Sequence, residues 1–205
     1  MIRTKMCGMT NTKDALAAAN LGAWAVGFIF CKKSPRFVGP YKVQKILKEL
    51  PPFVTPVGVF VNQKEGAVKD ILNFTGIQTI QFHGDETPSY CRRFKKYKVI
   101  KAVRVDKKID IAFLKQFDSV DAFLFDTYQE KVYGGSGETF DWSFIKSAKS
   151  LGKPIILSGG LHYNNVLAAV EEVRPFAVDT CSGVEQTPGK KNERSMHEFI
   201  KAVNF

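Results

Sequence analysis

Residues 154–185 read PIILSGGLHYNNVLAAVEEVRPFAVDTCSGVE. A short β-branched run (154–157) meets the glycine turn Ser158-Gly159-Gly160-Leu161, and a helix-patterned segment (164–173) follows. A second apolar run (176–178) then meets a second turn, Asp179-Thr180-Cys181-Ser182-Gly183-Val184-Glu185. Strand, turn, helix, strand, turn is the pattern of consecutive βα units, whose strands pair in parallel.

The same alternation extends back to the N-terminus. Further strands are predicted at 2–6, 23–30, 55–61, 79–82, 98–103 and 122–125, and helices at 12–21, 41–50, 64–74, 142–150 and 192–203. Eight units result. From Cys7 to Asp179 is 172 residues over seven repeats, about 25 each, within reach of a minimal βα unit. An open doubly wound sheet also accommodates such alternation. The chemistry-bearing residues decide between them, because they gather after the strands: Cys7-Gly8, Arg36, His83-Gly84, Asp126, Ser158-Gly159-Gly160 and 179–183. Only a closed ring brings the first, sixth and eighth of these to one centre. The reading is an α/β chain, a (β/α)8 TIM barrel, in a single domain over residues 1–205.

Composition fits one globular domain, with 44% hydrophobic and 24% charged residues. Residues 1–5 carry no secretory pattern, and the longest clean apolar run, 23–30, is far short of the ~18 residues a spanning helix needs. A cytoplasmic protein without a membrane partner is expected. The four cysteines, Cys7, Cys31, Cys91 and Cys181, stand singly, which suggests neither a disulfide framework nor a metal site. Thirty Lys and Arg against twenty Asp and Glu leave a net charge of +10. The excess is read as a solvated surface in helix-like segments such as 92–96 and 190–191, and nucleic acid is not expected as a partner. An anionic small molecule is, bound by a monomer or homodimer.

Each candidate residue has two readings. The glycine turns after strands seven and eight can present backbone N–H groups to a phosphate, or merely allow tight connections; two adjacent turns in a barrel favour phosphate at Gly159, Gly160, Ser182 and Gly183. No Walker lysine loop or dinucleotide G-x-G-x-x-G is present, which disfavours nucleotides. Asp126 ends an apolar strand, as a general acid or as a capping carboxylate. Cys7 ends strand one, as a nucleophile or base or as a small core residue. Arg36, after Ser34-Pro35, suits a carboxylate, although loop arginines are commonly just solvated. His83 ends strand four in a catalytic or a loop-holding role. The run 133–137 is glycine-rich enough for a lid or a plain mobile loop.

Taken together, the segments resemble the phosphoribosylanthranilate isomerase family. They are Lys5-Met6-Cys7-Gly8-Met9-Thr10, Gly27-Phe28-Ile29-Phe30, Ser34-Pro35-Arg36, Val57-Gly58-Val59-Phe60, Gln81-Phe82-His83-Gly84, Gly134-Gly135-Ser136-Gly137 with Phe140-Asp141-Trp142, Leu157-Ser158-Gly159-Gly160-Leu161, and Ser182-Gly183-Val184-Glu185 with Pro188-Gly189-Lys190. The match is collinear over nearly the whole chain. The resemblance implies an Amadori rearrangement without a cofactor: Asp126 as general acid, Cys7 as general base, Arg36 on the anthranilate carboxylate, and the two glycine turns on the phosphate. His83 and Asp179 are expected beside the substrate. Departures fall at Met6 and Phe82, where the family is usually aliphatic, at Cys181, usually serine, and at Asn192, commonly aspartate. A barrel isomerase of histidine biosynthesis is the nearest rival, but that family pairs two aspartates and repeats its half-barrel. A non-catalytic phosphate- or RNA-binding barrel rests on the charge alone.

Overall fold

A computed structural model describes residues 2–105, 109–126 and 142–204. Eight parallel strands close into a ring: β1 (Arg3–Met6), β2 (Ala25–Ile29), β3 (Thr55–Phe60), β4 (Thr79–Phe82), β5 (Lys98–Arg104), β6 (Ala122–Asp126), β7 (Ile155–Ser158) and β8 (Ala177–Thr180), with β8 paired to β1. The TIM barrel expected from the strand-end residues is the fold found. Helices α1 (Thr12–Asn20), α2 (Pro40–Glu49), α3 (Glu65–Thr75), α4 (Pro88–Arg92), α5 (Ile111–Leu114), α6 (Ser143–Lys146), α7 (Val166–Val173) and α8 (Glu193–Val203) lie between and after the strands. Among the described residues no helix is long and apolar enough to cross a membrane.

Strand side chains alternate in direction. One set packs outward with the helices: Val26, Phe28, Phe60, Ile80, Phe82, Val99, Phe123, Phe125, Leu157 and Val178 belong to the larger core. The other set points into the ring, where Val57, Ile100, Ala102, Ala122, Leu124, Ile156 and Ala177 form a separate apolar cluster. Two residues further along β6, β7 and β8, the inward set becomes polar at the C-terminal mouth: Asp126 follows Leu124, Ser158 follows Ile156, and Asp179 follows Ala177. The same step of two that builds the core therefore delivers the site.

Several boundaries differ from expectation. The strand predicted at 23–30 begins at Ala25, because Gly22 at φ +97° sets a turn that leads Ala23 and Trp24 into the sheet. Strands seven and eight run further than predicted, so Asp179 lies within β8 instead of just beyond it. The helix predicted at 142–150 is α-helical only over Ser143–Lys146 and tightens to a 3-10 turn over Ser147–Leu151. Serine explains the change, since the Ser150 hydroxyl donates to the Ser147 carbonyl at 2.7 Å and competes with regular backbone pairing. Lys190–Lys191 is not helical. It forms strand β10 of a small antiparallel ribbon with β9 (Glu185–Thr187). The glycine-rich run 133–137, read as a candidate lid, lies outside the described residues.

Candidate active site

At the C-terminal mouth a cleft of about 310 Å3 is lined by residues from or just after every strand except β5, among them Cys7, Ile29, Arg36, Val59, Gln81, His83, Asp126, Ser158, Asp179 and the glycine turns. This size is at the lower end for small-molecule sites. All nine residues proposed from the sequence, Cys7, Asp126, Arg36, His83, Asp179, Gly159, Gly160, Ser182 and Gly183, line this one cleft.

Cys7 follows β1, and its N–H donates to the Thr180 carbonyl at 2.8 Å. Its side chain fits because β2 has no side chain opposite: a Cβ on Gly27 would lie 2.7 Å from the Cys7 sulfur. The neighbouring Cys181 thiol, and then the Lys5 and Lys191 ammonium groups, hold the Cys7 thiol well below its ordinary value although burial opposes this. Cys181 is pushed the other way, chiefly by Cys7. Of the pair, Cys7 is the one whose thiolate form the surroundings favour, and Cys181 the one whose thiol form they favour.

Lys5 lies two residues before Cys7 and also points inward. Burial disfavours its charge, but the Asp179 carboxylate at 2.8 Å and the Cys7 sulfur hold it above the ordinary lysine value. Burial pushes Asp179 up to about 6. Asp179 lines the cleft, paired to Lys5 and within reach of the Ser158 hydroxyl at 3.3 Å.

On the opposite wall His83 Nε2 lies 3.0 Å from Asp126 Oδ2, and the Gln81 amide nitrogen lies 2.8 Å from His83 Nδ1. An amide nitrogen can only donate, so Nδ1 accepts and Nε2–H donates to Asp126. Gln81 fixes the imidazole, and the imidazole aims the carboxyl group.

Arg36 reaches the cleft from the loop after β2. Its Nε donates to both Glu185 oxygens at 2.9 and 3.0 Å, and Nη2 donates to Oε2 at 2.7 Å. This pairing raises the Arg36 value and, with Lys191, lowers that of Glu185 against the effect of burial. Glu185 thus grips one edge of the guanidinium and leaves the Nη1 edge for a ligand. Lys191 is wholly buried, bonded to Glu185 at 3.0 Å and to the Cys181 carbonyl at 2.9 Å. Its charge belongs to the site and not to the solvated surface.

The two glycine turns lie side by side. Gly159 and Gly160 have φ of +94° and +64°, a region open to glycine at little cost. Gly183 packs so closely that a Cβ would lie 2.0 Å from the Leu161 carbonyl oxygen, and the Thr180 hydroxyl ties the turns by donating to that same oxygen at 2.8 Å.

Sequence reading missed Lys5, Gln81, Glu185 and Lys191 as parts of the site, and did not pair Cys181 with Cys7. The step of two along a strand could have found Lys5 from Cys7 and Gln81 from His83. Nothing local signals Lys191 or Glu185, whose positions depend on the ribbon.

A closed barrel with a cysteine, an aimed carboxyl group and paired glycine turns at its C-terminal mouth places the chain among the (β/α)8-barrel enzymes. The family model described as N-(5'phosphoribosyl)anthranilate (PRA) isomerase matches residues 4–202. The chain is 47% identical over 203 residues to the N-(5'-phosphoribosyl)anthranilate isomerase of Pseudomonas putida strain GB-1, covering 98% of this chain and 97% of the relative. The crystal structure of the Thermotoga maritima phosphoribosyl anthranilate isomerase superposes with a TM-score of 0.91 at 44% identity, covering 99% of this chain and 98% of that one. A phosphoribosyl anthranilate isomerase in complex with reduced 1-(o-carboxyphenylamino)-1-deoxyribulose 5-phosphate gives a TM-score of 0.88 at 41% identity, with the same coverage. The chain belongs to the N-(5'-phosphoribosyl)anthranilate isomerase family.

Proposed function

We propose that the chain converts N-(5'-phosphoribosyl)anthranilate to 1-(2-carboxyphenylamino)-1-deoxyribulose 5-phosphate in tryptophan biosynthesis, with Asp126 as general acid and Cys7 as general base. The observation that carries this is one cleft holding a thiolate-type cysteine and a carboxyl group on strands three steps apart round the ring. Separation keeps a base and an acid from neutralising each other.

Asp126 donates a proton to the furanose ring oxygen while the substrate nitrogen pushes the C1'–O bond open and forms a protonated Schiff base. The His83 N–H stabilises the carboxylate that this transfer leaves. The Cys7 thiolate then takes the C2' proton, the electrons move to the Schiff-base nitrogen, and the enolamine tautomerises to the ketone. The substrate supplies its own electron sink, so this route calls for no metal or cofactor. Cys181, Lys5 and Lys191 favour the thiolate before substrate arrives. The enzyme works in the cytoplasm, as a monomer or homodimer, on a small molecule and not on nucleic acid or membrane. The test is fluorescence of purified protein with freshly made phosphoribosylanthranilate: rapid loss of the substrate signal with formation of the ribulose product is expected, and no conversion above buffer would overturn the assignment.

Arg36 is read as the carboxylate clamp through its Nη1 edge. Arg36→Ala is expected to weaken substrate binding by about 2 to 4 kcal/mol, the range for stranding a hydrogen-bonded charge, and Arg36→Lys to recover only part of it. Steady-state KM checks this, and an unchanged KM in both variants would remove Arg36 from the site.

The turns at Gly160 and Ser182-Gly183 are read as the phosphate site. Gly183→Ala must open the turn, because its Cβ would lie 2.0 Å from the Leu161 oxygen. Competitive inhibition by inorganic phosphate should weaken at least about tenfold, the equivalent of one hydrogen bond to a charged group. An unchanged inhibition constant in the folded variant would place the phosphate elsewhere.

A further inference from the structure

The ring closes by pairing β1 with β8, with Lys5 opposite Asp179 and Met6 opposite Thr180. The next step brings Cys7 beside Cys181, 174 residues away in sequence, and the Cys7 N–H donates to the carbonyl of Thr180, the residue before Cys181. Their side chains share a face. Lys5 and Asp179, one inward step below, meet at 2.8 Å inside the barrel, and beyond the strand ends the Cys7 and Cys181 side chains lie within hydrogen-bonding reach of each other. Both cysteines line the cleft. The Cys181 sulfur also lies 3.0 Å from where a Cβ on Gly8 would stand, so it leans toward the residue that follows Cys7. Adjacent strands run about 4.8 Å apart, inside the range of about 4.4 to 6.8 Å between Cα atoms that disulfides span. Neither cysteine is in a disulfide in this structure.

We propose that Cys7 and Cys181 form a peroxide-sensitive pair that closes to a reversible disulfide across the β1–β8 seam. The Cys7 thiolate attacks the terminal oxygen of a hydroperoxide, the O–O bond breaks, and after proton uptake the products are a Cys7 sulfenic acid and an alcohol or water. The Cys181 thiol, losing its proton, then attacks the Cys7 sulfur and displaces hydroxide, which leaves as water. The two thiols lose two electrons and the peroxide gains them. A dithiol reverses the bond by exchange.

Lys5 and Lys191 favour the attacking thiolate electrostatically, and Lys191 lies 3.9 Å from the Cys181 sulfur. The other cysteines are placed differently. Burial pushes Cys91 up to about 11, and neither Cys91 nor Cys31 lines the cleft. The bond does not depend on Cys7 being the base; only its consequence, reversible loss of turnover, rests on that reading.

The experiment is treatment of the wild-type protein with hydrogen peroxide, trapping of free thiols, and non-reducing peptide mapping by mass spectrometry. The expected product is a Cys7–Cys181 linked peptide lighter by two hydrogens, lost on treatment with dithiothreitol. In Cys181→Ser the same dose should instead carry Cys7 to a form heavier by two oxygens that dithiothreitol does not reverse. A wild-type Cys7 oxyacid beside a free Cys181, linkage through Cys31, no reaction at either residue, or equal reversibility in wild type and Cys181→Ser would each overturn the proposal.

Discussion

Cys7→Ser is expected to lower kcat by at least about 10²-fold with little change in KM, the lower end of what a positioned base contributes. The hydroxyl is smaller than the thiol and meets no new atom in the gap that Gly27 leaves, so the fold should stand. What changes is acidity. Cys181, Lys5 and Lys191 draw a thiol well below its ordinary value of about 8.5, but a serine hydroxyl starts so far above working pH that the same neighbours cannot ionise it. Substrate contacts at Arg36 and at the glycine turns stay in place, which is why KM should hold. A folded Cys7→Ser protein with kcat near wild type would take Cys7 out of the mechanism.

Asp126→Asn should cost as much as the serine change or more, about 10²- to 10⁴-fold in kcat. The amide oxygen of asparagine can still accept from His83, so the contact now seen at 3.0 Å is preserved and the side chain keeps its aim. Only the transferable proton is gone. The furanose oxygen must then leave unprotonated or take its proton from water, and ring opening becomes the slow step. Because acid and base serve successive steps, the double variant should lose less than the sum of the two free-energy losses. Steady-state kinetics of the single and double variants read this directly. Full additivity would mean that both groups act in the same step, and a near wild-type kcat for Asp126→Asn would rule it out as the acid.

The barrel was legible because apolar runs alternate with helix-patterned segments and the chemistry falls at the strand ends: Asp126 after Phe125, Ser158 after Leu157, Asp179 after Val178. Cys7, Asp126 and His83 could be placed from strand ends alone, since an inward residue one step past the apolar cluster has only the mouth to face. What could not be read depends on closure. Cys181 neighbours Cys7 only because β8 pairs with β1, and no local pattern carries that register. Lys191 looked like surface charge because two adjacent lysines ordinarily seek water; the ribbon turns one outward and buries the other against Glu185. Glu185 in turn determines which edge of Arg36 remains open. Lys5, Lys101 and Lys191 are buried against Asp179, Glu86 and Glu185, so these lysines are neutralised by their partners and the +10 excess lies with the other basic residues.

The account turns on Cys7 being a thiolate when it takes the C2' proton. Thiolate absorbance near 240 nm, recorded against pH as the difference between wild type and Cys7→Ser, gives the first ionisation of the coupled Cys7–Cys181 pair, which is read as that of Cys7. Its midpoint should lie well below the ordinary thiol value, because the shift is downward. The base must be deprotonated to act, so kcat/KM for phosphoribosylanthranilate should be low on the acid side and rise with pH through the same midpoint. Coincidence of the spectroscopic and kinetic ionisations is the result this mechanism predicts; kcat/KM that stays flat across the Cys7 titration would contradict it.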